Sequence, residues 1–151
     1  MDSGTNVLTH ELVLALVRQS PDAIVFADSE GTIRVWNEAA RRVFGYSEGQ
    51  AVGSTLDILI PERFREAHWK GFERAVSDRA TKYVGQALAT RSTRSDGTRI
   101  YVEMSFAVVL DADGEVLGVL AHVRDITERF EKERADRKRM QELEDALAEN
   151  P

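Results

Sequence analysis

The sequence predicts an α+β domain in which short helices cover one face of an antiparallel sheet. Two β-prone segments come first, at 22–28 and 32–36, with Gly31 in the turn between them. Several short segments with helix-start signals follow, and the chain ends in a long charged helix. Between these helices stand three further strand-like runs, at 83–94, 99–110 and 116–124. Turn sequences separate the three runs, which predicts a meander of antiparallel strands.

Length and composition indicate one domain with short extensions. A chain of 151 residues has the size of a single domain. Of its residues, 42% are apolar and 30% are charged, and no run approaches the roughly 18 apolar residues that a membrane span needs. The first nine residues are polar and lack a secretory signal. We therefore expect a globular protein of the cytoplasm.

Charge and cysteine content exclude several classes of function. The net charge of −6 disfavours direct binding to nucleic acid or to anionic lipid. The chain contains no cysteine, so disulfides, thiolate metal sites and thiol nucleophiles are absent. The same absence excludes the cysteine photo-adduct of blue-light flavin sensors. No catalytic constellation is recognisable, and we expect a protein that is not an enzyme.

Capping residues predict where the helices begin and end. Thr9 is the predicted N-cap of a first short helix. Asn37 is the predicted N-cap of a second one, which Gly45 ends in a left-handed conformation. The segment 47–50 has the Ser-x-x-Gln pattern of a capping box. Pro61 is a favoured first helical residue and opens a longer helix, 61–76.

The final segment predicts a polar helix with a narrow apolar seam. Asp125 and Glu128 give it a start signal. Its apolar positions are Ile126, Phe130, Met140, Leu143 and Leu147. The last three keep a three-four spacing, so a second copy of the chain could pair with them as a coiled coil. A solvated helix that carries only i,i+4 ion pairs is the other interpretation.

Three motifs are typical of one known family. The pattern Asn-x-Ala-x-x-x-x-x-Gly-Tyr-Ser stands at 37–47, Asp-Gly-Thr at 96–98, and Arg-Asp-Ile-Thr-Glu-Arg at 124–129. By these motifs the chain resembles a PAS domain of the S-box type from about residue 20 to residue 129. The resemblance implies the PAS fold, a five-stranded antiparallel sheet in the order 2-1-5-4-3 with short helices on one face. It divides the chain into an N-terminal flanking helix (1–19), a sensory domain (20–126) and a C-terminal signalling helix (127–151).

The resemblance also implies a role in signal transduction. PAS domains bind haem, flavins, small metabolites, fatty acids or nothing, and the exit helix usually carries the signal to an effector. We expect a homodimeric sensor that relays ligand binding through its C-terminal helix. The effector would be a kinase or a transcription regulator, in trans or in a longer parent chain. A ligand-free PAS module for dimerisation and protein interaction is the alternative.

His68 is the candidate cofactor ligand. Phe64, His68 and Phe72 recur at four-residue spacing and therefore share the face of the predicted helix that should meet the sheet. A neutral imidazole in apolar surroundings is a good ligand for haem iron. The segment 65–74 resembles the haem-binding PAS domains of FixL-type oxygen sensors, with His68 at the position of their iron ligand. A core histidine bonded to a backbone carbonyl is the other interpretation.

On the distal side of the haem, where oxygen binds in FixL-type sensors, the resemblance implies different residues in this chain. The arginine that binds oxygen in those sensors falls on Leu88, and their apolar distal pair falls on Met104 and Phe106. Without a charged donor, carbon monoxide, nitric oxide, a redox change with Met104 as sixth ligand, or no haem at all is favoured over oxygen. The complete predicted pocket consists of His68, Phe64, Phe72, Tyr83, Leu88, Met104, Phe106 and Leu120. The other two histidines, His10 and His122, are expected to be ordinary surface and strand residues.

Overall fold

The computed structural model describes residues 7–83 and 85–149, and within them one antiparallel sheet is flanked by helices. The elements are α1 (His10–Arg18), β1 (Ala23–Asp28), β2 (Ile33–Trp36), α2 (Glu38–Phe44), α3 (Glu48–Ala51), two 3-10 turns (Leu56–Leu59 and Glu62–Phe64), α4 (Arg65–Asp78), β3 (Leu88–Thr93), β4 (Arg99–Leu110), β5 (Val116–Asp125) and α5 (Thr127–Glu149). The strand order is β2-β1-β5-β4-β3. The predicted fold class and strand order are therefore confirmed.

The inner face of the sheet and the short helices form the core. Side chains alternate between the two faces along each strand, so residues that pair across strands share a face. Val25 pairs with Ala121, which pairs in turn with Phe106, and all three belong to the inner face. The buried core consists of Ala23, Val25, Ile33, Trp36, Ala39, Ala40, Phe44, Ala51, Leu59, Ile100, Val102, Ala121 and Val123. On the opposite, outer face of the sheet, Ala107 and His122 are exposed.

The predicted caps of α1, α2 and α3 are confirmed. The Thr9 side chain accepts a hydrogen bond from the backbone of α1. Gly45 ends α2 with φ 83°, a left-handed conformation that glycine adopts at little cost. Ser47 and Gln50 make both hydrogen bonds of a capping box at the start of α3. Local sequence signals thus determine where the short helices begin and end.

Asn37 joins three elements near the core and is only 3% exposed. Its Oδ1 accepts hydrogen bonds from the backbone N–H groups of Ile24 and Ala40, each at 3.0 Å. Its Nδ2 donates to the backbone oxygens of Val17 at 2.9 Å and Asp22 at 3.1 Å. All four hydrogen-bonding positions of the amide are used. One side chain therefore makes hydrogen bonds to the end of α1, to β1 and to the start of α2.

Two predicted boundaries are wrong. The strand β3 begins at Leu88, whereas the prediction began it at Tyr83. The backbone N–H of Gln86 donates to the carbonyl of Tyr83, and Gly85 has φ 73°, so the chain forms a turn there. Pro61 precedes a 3-10 turn and is not the first residue of the long helix, which extends from Arg65 to Asp78.

The exit helix α5 is attached to the sheet through its first turn. Ile126, just before the helix, is buried, whereas every described residue from Glu131 onward is exposed. Among the described residues, none of the helices combines the length and the hydropathy that crossing a bilayer requires.

Candidate functional site

The helix α4 is held at both ends by side chains that reach other elements. Near its start, the Trp69 indole N–H donates to the Asp57 carboxylate at 2.7 Å. At its end, the Arg79 guanidinium donates to the backbone oxygen of Gly114 at 3.2 Å and lies 3.4 Å from the Glu115 carboxylate. The middle of α4 thus lies between a 3-10 turn and the β4–β5 turn.

His68 lies in this middle part. Its ring is half-buried, and its Nδ1 atom is buried without a hydrogen-bond partner among the described residues. An unpaired buried polar atom costs about 1–3 kcal/mol, which makes this atom unusual. Burial lowers the pKa of His68, and the negative charge of Asp57 only partly opposes that shift. The imidazole is therefore neutral at neutral pH.

Aromatic rings surround the imidazole. The ring centroid of Trp69 lies 5.0 Å from that of His68, edge to face, and the centroid of Phe72 lies 6.2 Å away. Phe72 is buried, so the face of α4 that carries both His68 and Phe72 is directed into the protein. The predicted association of His68 with Phe72 is thus present in the structure.

Trp69 and Asp57 belong to the surroundings of His68 but were not predicted. A Cβ atom at Gly31 would lie 2.3 Å from the Trp69 ring, which means that the ring rests on the bare backbone of the β1–β2 turn. The only cue in the sequence is an acid within the apolar segment 56–60, where a carboxylate needs a donor. The structure supplies that donor as the Trp69 indole.

Phe64 does not join the site, and the prediction is corrected here. Its side chain is 39% exposed, and the Arg63 guanidinium lies 4.6 Å from the centre of its ring. The predicted spacing assumed a regular helix from Pro61. Because 62–64 form a 3-10 turn with three residues per turn, Phe64 is rotated away from the face of His68.

Three predicted pocket residues lie together on the inner face of the sheet. Leu88 pairs with Met104 across β3 and β4, and Met104 also pairs with the buried Val123. Phe106 follows two residues later on the same face. Met104 and Phe106 are partly buried against the core, and Leu88 is half-buried. These three side chains are apolar and supply no charged donor.

Tyr83 and Leu120 lie elsewhere, and their predicted placement is also corrected. Tyr83 belongs to the turn before β3, with the Lys82 ammonium 5.0 Å from its ring centre. Leu120 pairs with Ala107 on one side and with Phe26 on the other. These are outer-face positions, because their neighbours along each strand form the inner face. A shift of one residue along a strand moves a side chain to the opposite face.

His122 lies on the outer face and is exposed. It borders a shallow groove of about 170 Å³ together with Asp22, Glu103 and Arg124. Asp22 is paired with Arg124, and Glu103 is paired with Arg129, so neither carboxylate is free for a ligand. Among the described residues, no three histidine or acidic side chains converge as a metal site.

A family model described as PAS fold matches residues 17–131 of this chain. The chain belongs to the PAS family. It is 30% identical over 133 residues to the Sensor protein FixL of Bradyrhizobium diazoefficiens, a match that covers 88% of this PAS chain and 25% of the relative. It is 26% identical over 109 residues to the Oxygen sensor protein DosP of Escherichia coli, covering 72% of this chain and 13% of the relative. The chain therefore spans a quarter or less of these relatives.

Solved structures show the same PAS fold. A PAS domain from Colwellia psychrerythraea has a TM-score of 0.68 and 24% identity, covering 78% of this chain and 97% of that one. An RNA-binding Light-Oxygen-Voltage receptor has a TM-score of 0.69 and 20% identity, covering 93% of this chain and 40% of that one. The predicted family and the predicted likeness to FixL are confirmed. The chain thus has the PAS fold, and the two similar proteins are named as sensors.

Proposed function

We propose that this PAS domain is a cytoplasmic, non-enzymatic ligand sensor whose site lies between α4 and the inner face of the sheet. The observation that carries the proposal is the buried and unpartnered Nδ1 of His68. A neutral imidazole without a protein partner is available to a ligand, and haem is the ligand that its chemistry fits best. Two similar proteins support this choice, since one is a sensor and the other an oxygen sensor by name.

Five residues of the chain would hold haem. His68 would bind the iron, and Phe72 would pack beside the imidazole. On the sheet side, Leu88, Met104 and Phe106 would exclude water. Bound haem would supply an iron atom that takes up diatomic gases or an electron. Because Leu88 cannot donate a hydrogen bond, we propose carbon monoxide, nitric oxide or a redox change as the input, and in the redox case Met104 would offer its thioether to the iron.

The signal would be a shift between two arrangements of sheet and helices. A ligand that binds one arrangement better than the other increases the population of that arrangement, and it can do so only by its differential affinity. The output would be the position of α5, read by a kinase or a transcription regulator in trans or in a longer parent chain.

The haem proposal is tested by absorbance spectroscopy on protein purified after haem addition. We expect a Soret band for the unaltered chain that is lost in His68→Ala. The matched controls are His122→Ala and His10→Ala, since both histidines are exposed and should leave the band unchanged. Thermal unfolding of each variant checks the fold. A band that survives in His68→Ala, or no band in any protein, would overturn the proposal.

A ligand-free dimerisation module is a second candidate, and the apolar side chains on α1 and α5 favour it. These side chains are Val13, Leu14 and Leu16 on α1, and Met140, Leu143 and Leu147 on α5, with exposed fractions between 44% and 75%. A second copy of the chain would remove them from water. If two α5 helices pair in parallel along the Met140–Leu147 seam, Arg139 of one copy faces Glu144 of the other, which adds attraction.

Self-association is tested by light scattering across a range of protein concentrations. We expect the double variant Leu143→Asp/Leu147→Asp to have the mass of a monomer where the unaltered chain has that of a dimer, because two charges enter the apolar seam. The matched control, Gln141→Asp/Ala148→Asp, adds the same charge beside the seam and should remain dimeric. A monomeric mass for the unaltered chain at all concentrations would contradict the dimer.

A further inference from the structure

The attachment of α5 to the sheet depends on Tyr101 of β4. The Tyr101 carbonyl accepts the backbone N–H of Ile126 at 2.9 Å, and its backbone N–H donates to Thr127 Oγ1 at 3.0 Å. The Thr127 hydroxyl donates in turn to the Asp125 carboxylate at 2.6 Å. These bonds are all made at residues 125–127, where α5 begins, so they define a point about which the helix can rotate.

A stack of two aromatic rings also holds α5 against the sheet. The Tyr101 and Phe130 rings are stacked, with centroids 3.9 Å apart and planes at 19°. Phe130 lies one helical turn beyond Ile126, so the stack is a second point of attachment along α5. Two separate points fix a direction, whereas one does not. The Arg129–Glu103 ion pair lies nearby at 3.1 Å, but it is solvent-exposed and such pairs contribute little.

Tyr101 also connects this attachment with the core. Its neighbours Ile100 and Val102 point to the inner face and are 4% and 0% exposed. Two residues further along β4, Met104 lies on that same inner face and belongs to the proposed ligand site. A displacement of β4 therefore moves the ring of Tyr101, although that ring lies on the opposite face of the sheet from the ligand site.

We propose that the Tyr101–Phe130 stack sets the direction in which α5 leaves the sheet, and that Tyr101 and Phe130 are the positioning residues of the output helix. The inference rests on the proposed function in one respect, namely that α5 is the output. The helix has 23 residues and is about 34 Å long. A rotation of about 10° at the first turn moves its far end by about 6 Å. Loss of the stack leaves the hydrogen bonds at the first residues intact and frees this rotation.

The test measures a distance between the sheet and α5. Because the chain has no cysteine, spin labels can be attached at Ala107→Cys on the outer face and Gln141→Cys on α5. Labelled protein is diluted with unlabelled protein, so that pulsed electron paramagnetic resonance records only distances within one chain. We expect a narrow distribution for the unaltered chain, and one at least twice as wide for Phe130→Leu, which keeps an apolar side chain but loses the stack.

Two controls separate positioning from stability. Phe130→Tyr preserves the stack and should restore the narrow distribution, and Glu131→Ala alters an exposed neighbour and should change nothing. A lower melting temperature for Phe130→Leu with an unchanged distance distribution would overturn the proposal, as would a broad distribution in the unaltered chain. The measurement requires no ligand, so a failure of the haem experiment leaves this result decidable.

Discussion

Replacement of Asn37 by alanine is expected to lower the free energy of unfolding by about 4 kcal/mol. The change leaves two backbone donors, those of Ile24 and Ala40, and two backbone acceptors, those of Val17 and Asp22, without their partner. Each lost hydrogen bond contributes about 1 kcal/mol, and the unpaired groups lie in or beside the core. Chemical denaturation followed by circular dichroism measures the change.

Ser47→Ala is the matched control, because Ser47 also caps a helix but does so at the surface. We expect a loss of about 1 kcal/mol for this cap. A second variant, Asn37→Asp, keeps the acceptor for Ile24 and Ala40 but cannot donate to the two carbonyl oxygens. Its loss in the free energy of unfolding should fall between those of Asn37→Ala and Ser47→Ala. Equal losses for Asn37→Ala and Ser47→Ala would show that Asn37 acts only as a local helix cap.

Gly118→Ala is expected to destabilise the sheet by about 3 kcal/mol or more. A Cβ atom at this position would lie 2.0 Å from the backbone oxygen of Ala27 and 2.6 Å from the ring of Phe26. Gly118 pairs with Asp28 at the end of β1, so a shift of Ala27 would disturb the β1–β5 pairing. A backbone atom in a central strand has little room to move. Thermal and denaturant unfolding would both report the loss.

The control for this prediction is Gly71→Ala. Gly71 lies within α4, and a Cβ atom built there meets no other atom within 4 Å. Alanine favours a helix over glycine by up to about 1 kcal/mol, so this variant should be more stable than the unaltered chain. If Gly118→Ala were as stable as Gly71→Ala, the strands β1 and β5 would have to be more loosely paired than the structure indicates.

The parts of the fold that the sequence predicts well are those decided within a few residues. The caps at Thr9, Asn37 and Ser47 are examples, because a side-chain oxygen and the next backbone donors are enough to specify them. The inner-face position of Met104 was also predictable, since strand alternation has a simple period. The four hydrogen bonds of Asn37 could not be predicted in full, as two of their partners lie 15 and 20 residues away.

The candidate site was predicted less completely, for two physical reasons. Helix type alters which residues share a face, and the 3-10 turn before α4 removed Phe64 from the face of His68. Strand register likewise decides which face of the sheet a side chain occupies. Leu120 is next to the inner-face residue Ala121 and therefore lies on the outer face. Trp69 and Asp57 meet only after α4 folds back, so no local signal in the sequence joins them.

The long exposed part of α5 has a consequence for how the protein responds to its own abundance. From Glu131 to Glu149 no side chain is buried, so this stretch gains no stability from tertiary packing. In proteins, most of the stability of a helix comes from tertiary packing of an apolar face. If two chains pair through α5, as in the dimer proposed above, ordering of the segment and pairing are one linked equilibrium, governed by mass action. The expression level of the protein would then determine how much of the segment is helical, and gene dosage would act on the output alongside any bound molecule.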